Sequence, residues 1–131
     1  MFVDASAIIA ILARESDGPA LAGRLDRAQR VYTSPLAIYE TVLAIARIRN
    51  ISVTDAEAVA NSFLAAAQIE VIPISPEIGR GAINAFEQFG RGRHSARLNM
   101  GDCFAYACAR ALAVPLLFKD DAFSQTDIAV A

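Results

Sequence analysis

Four acidic positions lie where an apolar residue or a helix cap is expected. Asp4 ends the apolar segment MFVD, and Glu40 is the only charged residue in SPLAIYETVLAIA. Asp102 opens the otherwise apolar stretch GDCFAYACA, and the pair Asp120-Asp121 follows the apolar run VPLLF. Carboxylates are rarely buried without a partner, so their recurrence at the ends of core segments indicates a shared divalent metal site. Clustered oxygen ligands suit Mg²⁺ or Mn²⁺ rather than zinc, and such a site suits phosphodiester hydrolysis.

Each acid also has a purely structural interpretation. Asp4 and Asp102 stand where helices are predicted to begin, and acids are common as caps and in first turns. Asp120 and Asp121 fit a turn after a strand. Glu40 is the hardest to explain this way, because a glutamate amid apolar residues has no local role within a helix. The spacing alone leaves both interpretations open.

The elements that must position these acids alternate between strand and helix. Pro73 predicts an edge position for the third strand, and Ser34-Pro35 is a typical helix start that combines a cap with a proline at the first helical position. Alternation of this kind is typical of a parallel sheet of four or five strands, covered by helices on both faces in three layers. Sites in such folds form beyond the carboxyl ends of the strands, so the acids should converge there. Strands are predicted at 1–4, 31–34, 70–74 and 114–118, and helices at 5–13, 19–29, 35–49, 53–67, 76–89 and 100–112.

The bulk composition limits the classes of function. A chain of 131 residues with 55% hydrophobic residues predicts one domain, residues 1–131, with a sizeable core. The net charge of −2 excludes a general attraction to nucleic acid, so any polyanion site must be local. No apolar run approaches the roughly 18–20 residues of a membrane span, and no signal peptide is recognisable. We therefore expect a cytoplasmic protein without a membrane partner.

Taken together, these segments resemble the PIN-domain ribonucleases of the VapC toxin class. MFVDASAIIAIL resembles the opening strand and helix of that family, and SPLAIYETVLAI resembles its glutamate-bearing helix. LNMGDCFAYACAR resembles the helix with the third acid, and VPLLFKDDAFSQTDI resembles the closing segment. The resemblance extends over nearly the whole chain, in the expected order.

The resemblance implies a PIN-like fold, a three-layer α/β/α sandwich on a short parallel sheet. It implies Mg²⁺- or Mn²⁺-dependent cleavage of RNA, with Asp4 and Asp102 as metal ligands and Glu40 as a supporting acid. It also implies a homodimer that is neutralised by a VapB-type antitoxin, with DNA contacted only through that antitoxin.

The closing segment departs from the family pattern. Relatives often have Gly-Asp-Asp-Phe or Gly-Asn-Asp-Phe, whereas this chain has Asp120-Asp121-Ala122-Phe123. The acid that usually precedes the phenylalanine is missing here. We assign the fourth catalytic acid to Asp121, with Asp120 as its substitute.

Residues 90–99 form a basic, glycine-containing segment, GRGRHSARLN, which is predicted to be a loop. Its cationic side chains could contact RNA phosphates beside the metal, or they could belong to an ordinary solvated loop. Three roles are open for Ser6: a hydrogen bond to the Asp4 carboxylate, a contact with RNA, and capping of the first helix. The candidate RNA-binding residues are Arg91, Arg93, His94, Arg97 and Ser6.

Two other functions use the same acids differently. The first is another metal phosphohydrolase, such as a DNA nuclease or a phosphatase. The second is a nonenzymatic PIN-like module that binds RNA or a partner protein. A binding module should need no Mg²⁺ and should tolerate Asp4→Asn, so a metal titration distinguishes the classes.

Overall fold

The computed structural model of the protein describes residues 1–119 and 121–131. The described strands form one parallel sheet in the order β3-β2-β1-β4. The predicted three-layer α/β/α architecture is confirmed, because helices pack on both faces of this sheet. The strands are β1 (Phe2–Val3), β2 (Val31–Thr33), β3 (Ile69–Val71) and β4 (Leu116–Leu117), and the helices are α1 (Ala5–Leu12), α2 (Gly18–Arg27), α3 (Pro35–Arg49), α4 (Val53–Ala66), α5 (Pro76–Phe89) and α6 (Met100–Leu112), followed by a short 3₁₀ helix (Ala122–Gln125).

The neighbouring strands β1 and β4 divide their side chains between the two helical layers. Phe2 lies in register with Leu116, and both pack into the core formed with α5 and α6. Val3 lies in register with Leu117, and both pack into the opposite core with α1 and α2. Successive side chains of a strand point to opposite faces, so two residues per strand suffice to anchor both layers.

The strands are shorter than predicted because capping residues and prolines end them. The predicted strands included Asp4 and Ser34, which lie just outside the observed strands. Each caps the next helix, as predicted for Ser34 and as one interpretation of Asp4 held. The Ser34 hydroxyl accepts a hydrogen bond from the Ala37 N–H at 3.2 Å, and Pro35 occupies the first turn. At the other end of α3, Asn50 adopts a left-handed conformation (φ 52°) and ends the helix, as predicted.

The order of the strands brings the segments that carry the acids together. The strand β1, which precedes Asp4, is central and lies between β2 and β4. β3 lies at one edge of the sheet, which confirms the edge position predicted from Pro73. None of the helices in the described part of the chain is long and apolar enough to cross a membrane.

Candidate functional site

Asp4 lies at the carboxyl end of β1 and is held in place by short-range bonds. It is buried, with 5% of its surface exposed, and its N–H donates to the Leu117 carbonyl at 2.9 Å. Its Oδ2 accepts hydrogen bonds from the Ser6 N–H at 3.0 Å and from the Ser6 hydroxyl at 2.6 Å. Asp4 is therefore the N-cap of α1, which confirms the structural interpretation of this residue. The same bonds also fix the orientation of its carboxylate.

Asp102 is oriented by a reciprocal capping box at the start of α6. The Asp102 N–H donates to Asn99 Oδ1 at 2.9 Å, and the Asn99 N–H donates to Asp102 Oδ2 at 3.0 Å. This arrangement satisfies two backbone donors that the first helical turn would otherwise leave unpaired. As with Asp4, capping and a fixed carboxylate orientation are compatible, because both follow from the same bonds.

Glu40 has no capping role, and it lies close enough to Asp4 and Asp102 for their charges to affect its pKa. It lies on α3, and its carboxylate packs against Gly101 in the first turn of α6. Partial burial, and to a smaller extent the negative charges of Asp4 and Asp102, raise the pKa of Glu40 from its usual 4.5 to about 7. Three elements that are distant in sequence therefore bring their carboxylates within electrostatic reach of one another. We call Asp4, Glu40 and Asp102 the acidic site.

The acidic site has the donor chemistry of a divalent cation centre. Its oxygens are hard ligands, and a cation would relieve the mutual repulsion that, after partial burial, contributes to the raised pKa of Glu40. Within the described residues, no group of three or more His, Cys, Asp or Glu side chains is arranged as a preformed metal site. That finding is compatible with an ion held directly by one or two carboxylates and otherwise by water, as Mg²⁺ often is.

After β4, the backbone of the closing segment lies beside the Asp4 cap. The Lys119 N–H donates to the Ser6 hydroxyl at 3.1 Å, so the chain leaves β4 beside the Asp4 cap. Asp121 is exposed two residues later, and its carbonyl accepts bonds from the Ser124 N–H and hydroxyl at 3.1 and 2.7 Å. Its charge is not among those that raise the pKa of Glu40. Asp120, the substitute for the fourth acid, lies outside the described residues, and the role of Asp121 stays a prediction.

The basic loop is closed at its base and ends at the capping box. The Arg91 N–H donates to the Leu98 carbonyl at 3.0 Å and the Leu98 N–H donates to the Phe89 carbonyl at 3.0 Å, so Gly90 and Leu98 form an isolated bridge there. His94 is held within the loop, since its Nδ1 accepts from the Ala96 N–H at 3.0 Å and its ring meets Phe89 edge-on. The arginines Arg91, Arg93 and Arg97 are exposed and form no ion pair with any described carboxylate. Their contact with RNA stays a prediction, although the loop leads directly into the helix that carries Asp102.

Sequence reasoning missed two residues that shape the site, and it left the role of Ser6 open. Gly101 provides the space that Glu40 occupies, and Asn99 orients Asp102. The sequence carried a signal for Asn99, because an Asn three residues before an acid is a capping-box pattern. It carried none for Gly101, whose partner is remote in the chain. Ser6 bonds the Asp4 carboxylate, which was one of its three predicted roles.

The PIN domain family model matches residues 1–129 of this chain. Among curated proteins, a VapC ribonuclease of Rhizobium meliloti is 36% identical over 139 residues, which cover 97% of this chain and 98% of the relative. The ribonuclease VapC of Mycolicibacterium smegmatis is 34% identical over 130 residues, which cover 98% of each chain.

Solved structures show the same fold at lower identity. The Mycobacterium tuberculosis toxin VapC20, described as cleaving the sarcin-ricin loop, has a TM-score of 0.79 and 19% identity, and covers 99% of this chain and 97% of its own. A chain of a toxin–antitoxin complex from Klebsiella pneumoniae has a TM-score of 0.72 and 13% identity, over 99% of this chain and 95% of that one. These two similarities support the fold, whereas the curated relatives support the family.

Proposed function

This chain belongs to the PIN-domain family, in its VapC-type branch, and from that premise we propose that it is a metal-dependent endoribonuclease acting as the toxin of a toxin–antitoxin pair. The observation that carries the proposal is the convergence of Asp4, Glu40 and Asp102 in the acidic site, recorded in the raised pKa of Glu40. Capping accounts for Asp4 and Asp102, but it gives no reason for a partly buried glutamate to lie beside both of them.

We assign metal binding to Asp4 and Asp102, whose carboxylates are already oriented by Ser6 and Asn99. A bound Mg²⁺ or Mn²⁺ supplies a Lewis acid that activates water and offsets the charge of the scissile phosphate. Glu40 completes the negative charge around the cation, and Asp121 contributes from the closing segment.

The substrate and partners follow from the same premise. The exposed arginines of the basic loop would contact RNA phosphates, which supplies the local positive charge that a chain with a net charge of −2 otherwise lacks. The named relatives and the toxin–antitoxin complex support a VapB-type antitoxin as partner. We further propose a homodimer that acts in the cytoplasm, where its proposed RNA substrate lies, and light scattering of the purified protein would measure its mass directly.

Cleavage of a total-RNA pool by the purified, antitoxin-free protein tests the proposal. The reactions would contain Mg²⁺, Mn²⁺ or EDTA, and would compare the wild type with Asp4→Asn and Asp102→Asn. Asp26→Asn is the matched control, because Asp26 is an exposed acid on α2. We expect discrete fragments from the wild type and from the control, and none with EDTA or with either site variant.

The other outcomes identify the alternatives. Cleavage of DNA or release of phosphate from small esters, without RNA cleavage, would indicate a different metal phosphohydrolase. RNA or protein binding that persists in EDTA and in Asp4→Asn, with no cleavage under any metal, would indicate a nonenzymatic binding module. Cleavage that is equal in EDTA would refute the assignment of the acids to a metal centre.

A further inference from the structure

We infer that Gly101 is the positioning residue that admits the Glu40 carboxylate to the acidic site. The Glu40 carboxylate lies so close to the Gly101 Cα that a methyl group there would be 2.6 Å from Oε1 and 2.7 Å from Cδ, and would overlap Oε2. Real side chains do not approach a carboxylate this closely. Any residue larger than glycine at position 101 therefore displaces Glu40 from its place beside α6.

The position of Gly101 in the helix makes the glycine otherwise unfavourable. It lies in the first turn of α6, between the cap residue Asn99 and the acid Asp102. Alanine is a better helix former than glycine, so a helix that retains glycine here gives up stability. The three atoms nearest to the added methyl group all belong to the Glu40 carboxylate, so space for that carboxylate is a physical reason for the glycine.

A residue larger than glycine at position 101 would lower the negative charge of the acidic site, and its effect on metal binding rests on the proposed function. Asp4 and Asp102 are held by bonds along their own segments, so they keep their orientation when position 101 changes. Within the described residues no comparable hydrogen bond holds the Glu40 carboxylate, which packs against Gly101. A Cβ at position 101 should thus remove one of three carboxylates from the site without altering the other two.

Gly79→Ala is the matched control, because Gly79 is also helical, on α5, and an added methyl group meets no atom within 4 Å. The test is a double-mutant cycle of Gly101→Ala and Glu40→Ala, with Gly79→Ala in parallel. Two quantities are measured: the dissociation constant for Mn²⁺ by calorimetry, and the thermal unfolding midpoint in EDTA. The cycle distinguishes an effect that depends on Glu40 from a general disturbance of α6.

We expect Gly101→Ala and Glu40→Ala each to weaken Mn²⁺ binding by about 10- to 100-fold, the range typical of residues that support metal ligands. The double variant should be no weaker than the weaker single variant. In EDTA, the change in midpoint caused by alanine at position 101 should differ between proteins with and without Glu40, because the methyl group has to displace the Glu40 carboxylate only where Glu40 is present. Gly79→Ala should leave Mn²⁺ affinity unchanged.

Provided that the wild type binds Mn²⁺, the inference is overturned if Gly101→Ala and Glu40→Ala act additively on the dissociation constant or on the unfolding midpoint. It is also overturned if Gly101→Ala binds Mn²⁺ as tightly as the wild type. A wild type that binds no Mn²⁺, while the midpoints still show coupling, would instead refute the proposed metal centre and leave the placement of Glu40 by Gly101 supported.

Discussion

Replacing Glu40 with glutamine should stabilise the metal-free protein at neutral pH while it impairs RNA cleavage. Glutamine has nearly the shape of a protonated glutamate but carries no charge, so it fits beside Gly101 without repelling Asp4 or Asp102. Sites that bury and concentrate like charges commonly trade stability for function, and the raised pKa of Glu40 indicates such a cost here.

The magnitude follows from the two pKa values of Glu40. A rise from 4.5 in the unfolded chain to about 7 in the folded one corresponds to about 3 kcal/mol of unfavourable interaction when the carboxyl is ionised. Glu40 is only partly buried, so solvent screening reduces the expected effect to about 1–2 kcal/mol.

The sign depends on pH. Below pH 4.5 the carboxyl of Glu40 is protonated in both states, and wild type and Glu40→Gln should be equally stable on this account. Between pH 4.5 and about 7 the folded state retains the proton that the unfolded state has lost, so the stability contributed by the protonated carboxyl falls as pH rises. The advantage of the variant should therefore grow through this window and level off above it.

Urea denaturation in EDTA at several values of pH from 4.5 to 8 measures the difference directly. Saturating Mn²⁺ should reverse it, because a cation that binds only the folded state stabilises the wild type more than a variant with weaker affinity. RNA cleavage by the variant should fall by about 10- to 100-fold. A difference that does not change with pH, or a variant less stable than wild type in EDTA at pH 8, would refute the electrostatic reasoning.

Three further substitutions test the supporting structure. Asn99→Ala should lower the free energy of unfolding by about 1 kcal/mol through loss of the cap, and calorimetry should show weaker Mn²⁺ binding; unchanged affinity would mean that the capping box does not orient Asp102. Tyr106→Phe removes the 2.5 Å bond to Asp127 and should cost about 1 kcal/mol in urea denaturation without changing the rate of RNA cleavage, and a lower rate would contradict a purely structural role. Leu98→Ala truncates a side chain with 0% exposure at the base of the basic loop, and it should lower the free energy of unfolding by about 2–5 kcal/mol in urea denaturation. A loss below about 1 kcal/mol would mean that the neighbouring side chains close the cavity.

The parallel sheet and its helices could be predicted because their signals are local. Ser34-Pro35 and Asn50 delimit α3 by the chemistry of their own side chains and backbone, whatever the rest of the chain does. The lengths of the strands were wrong by one to three residues. Asp4 and Ser34 can serve either as a strand end or as a cap, and that competition is decided only when the helix they precede has formed.

The sequence by itself also determined which acids to expect in a site, since Asp4, Glu40 and Asp102 stand out by being charged among apolar neighbours. Only the tertiary structure decided that Glu40 lies against Gly101 and that partial burial, together with two acids on other elements, raises its pKa. The physical reason is that packing and electrostatic coupling act through space, between groups 61 positions apart in the case of Glu40 and Gly101. Hydrophobic pattern and cap chemistry act along the chain, and so they can be seen in the sequence before the chain folds.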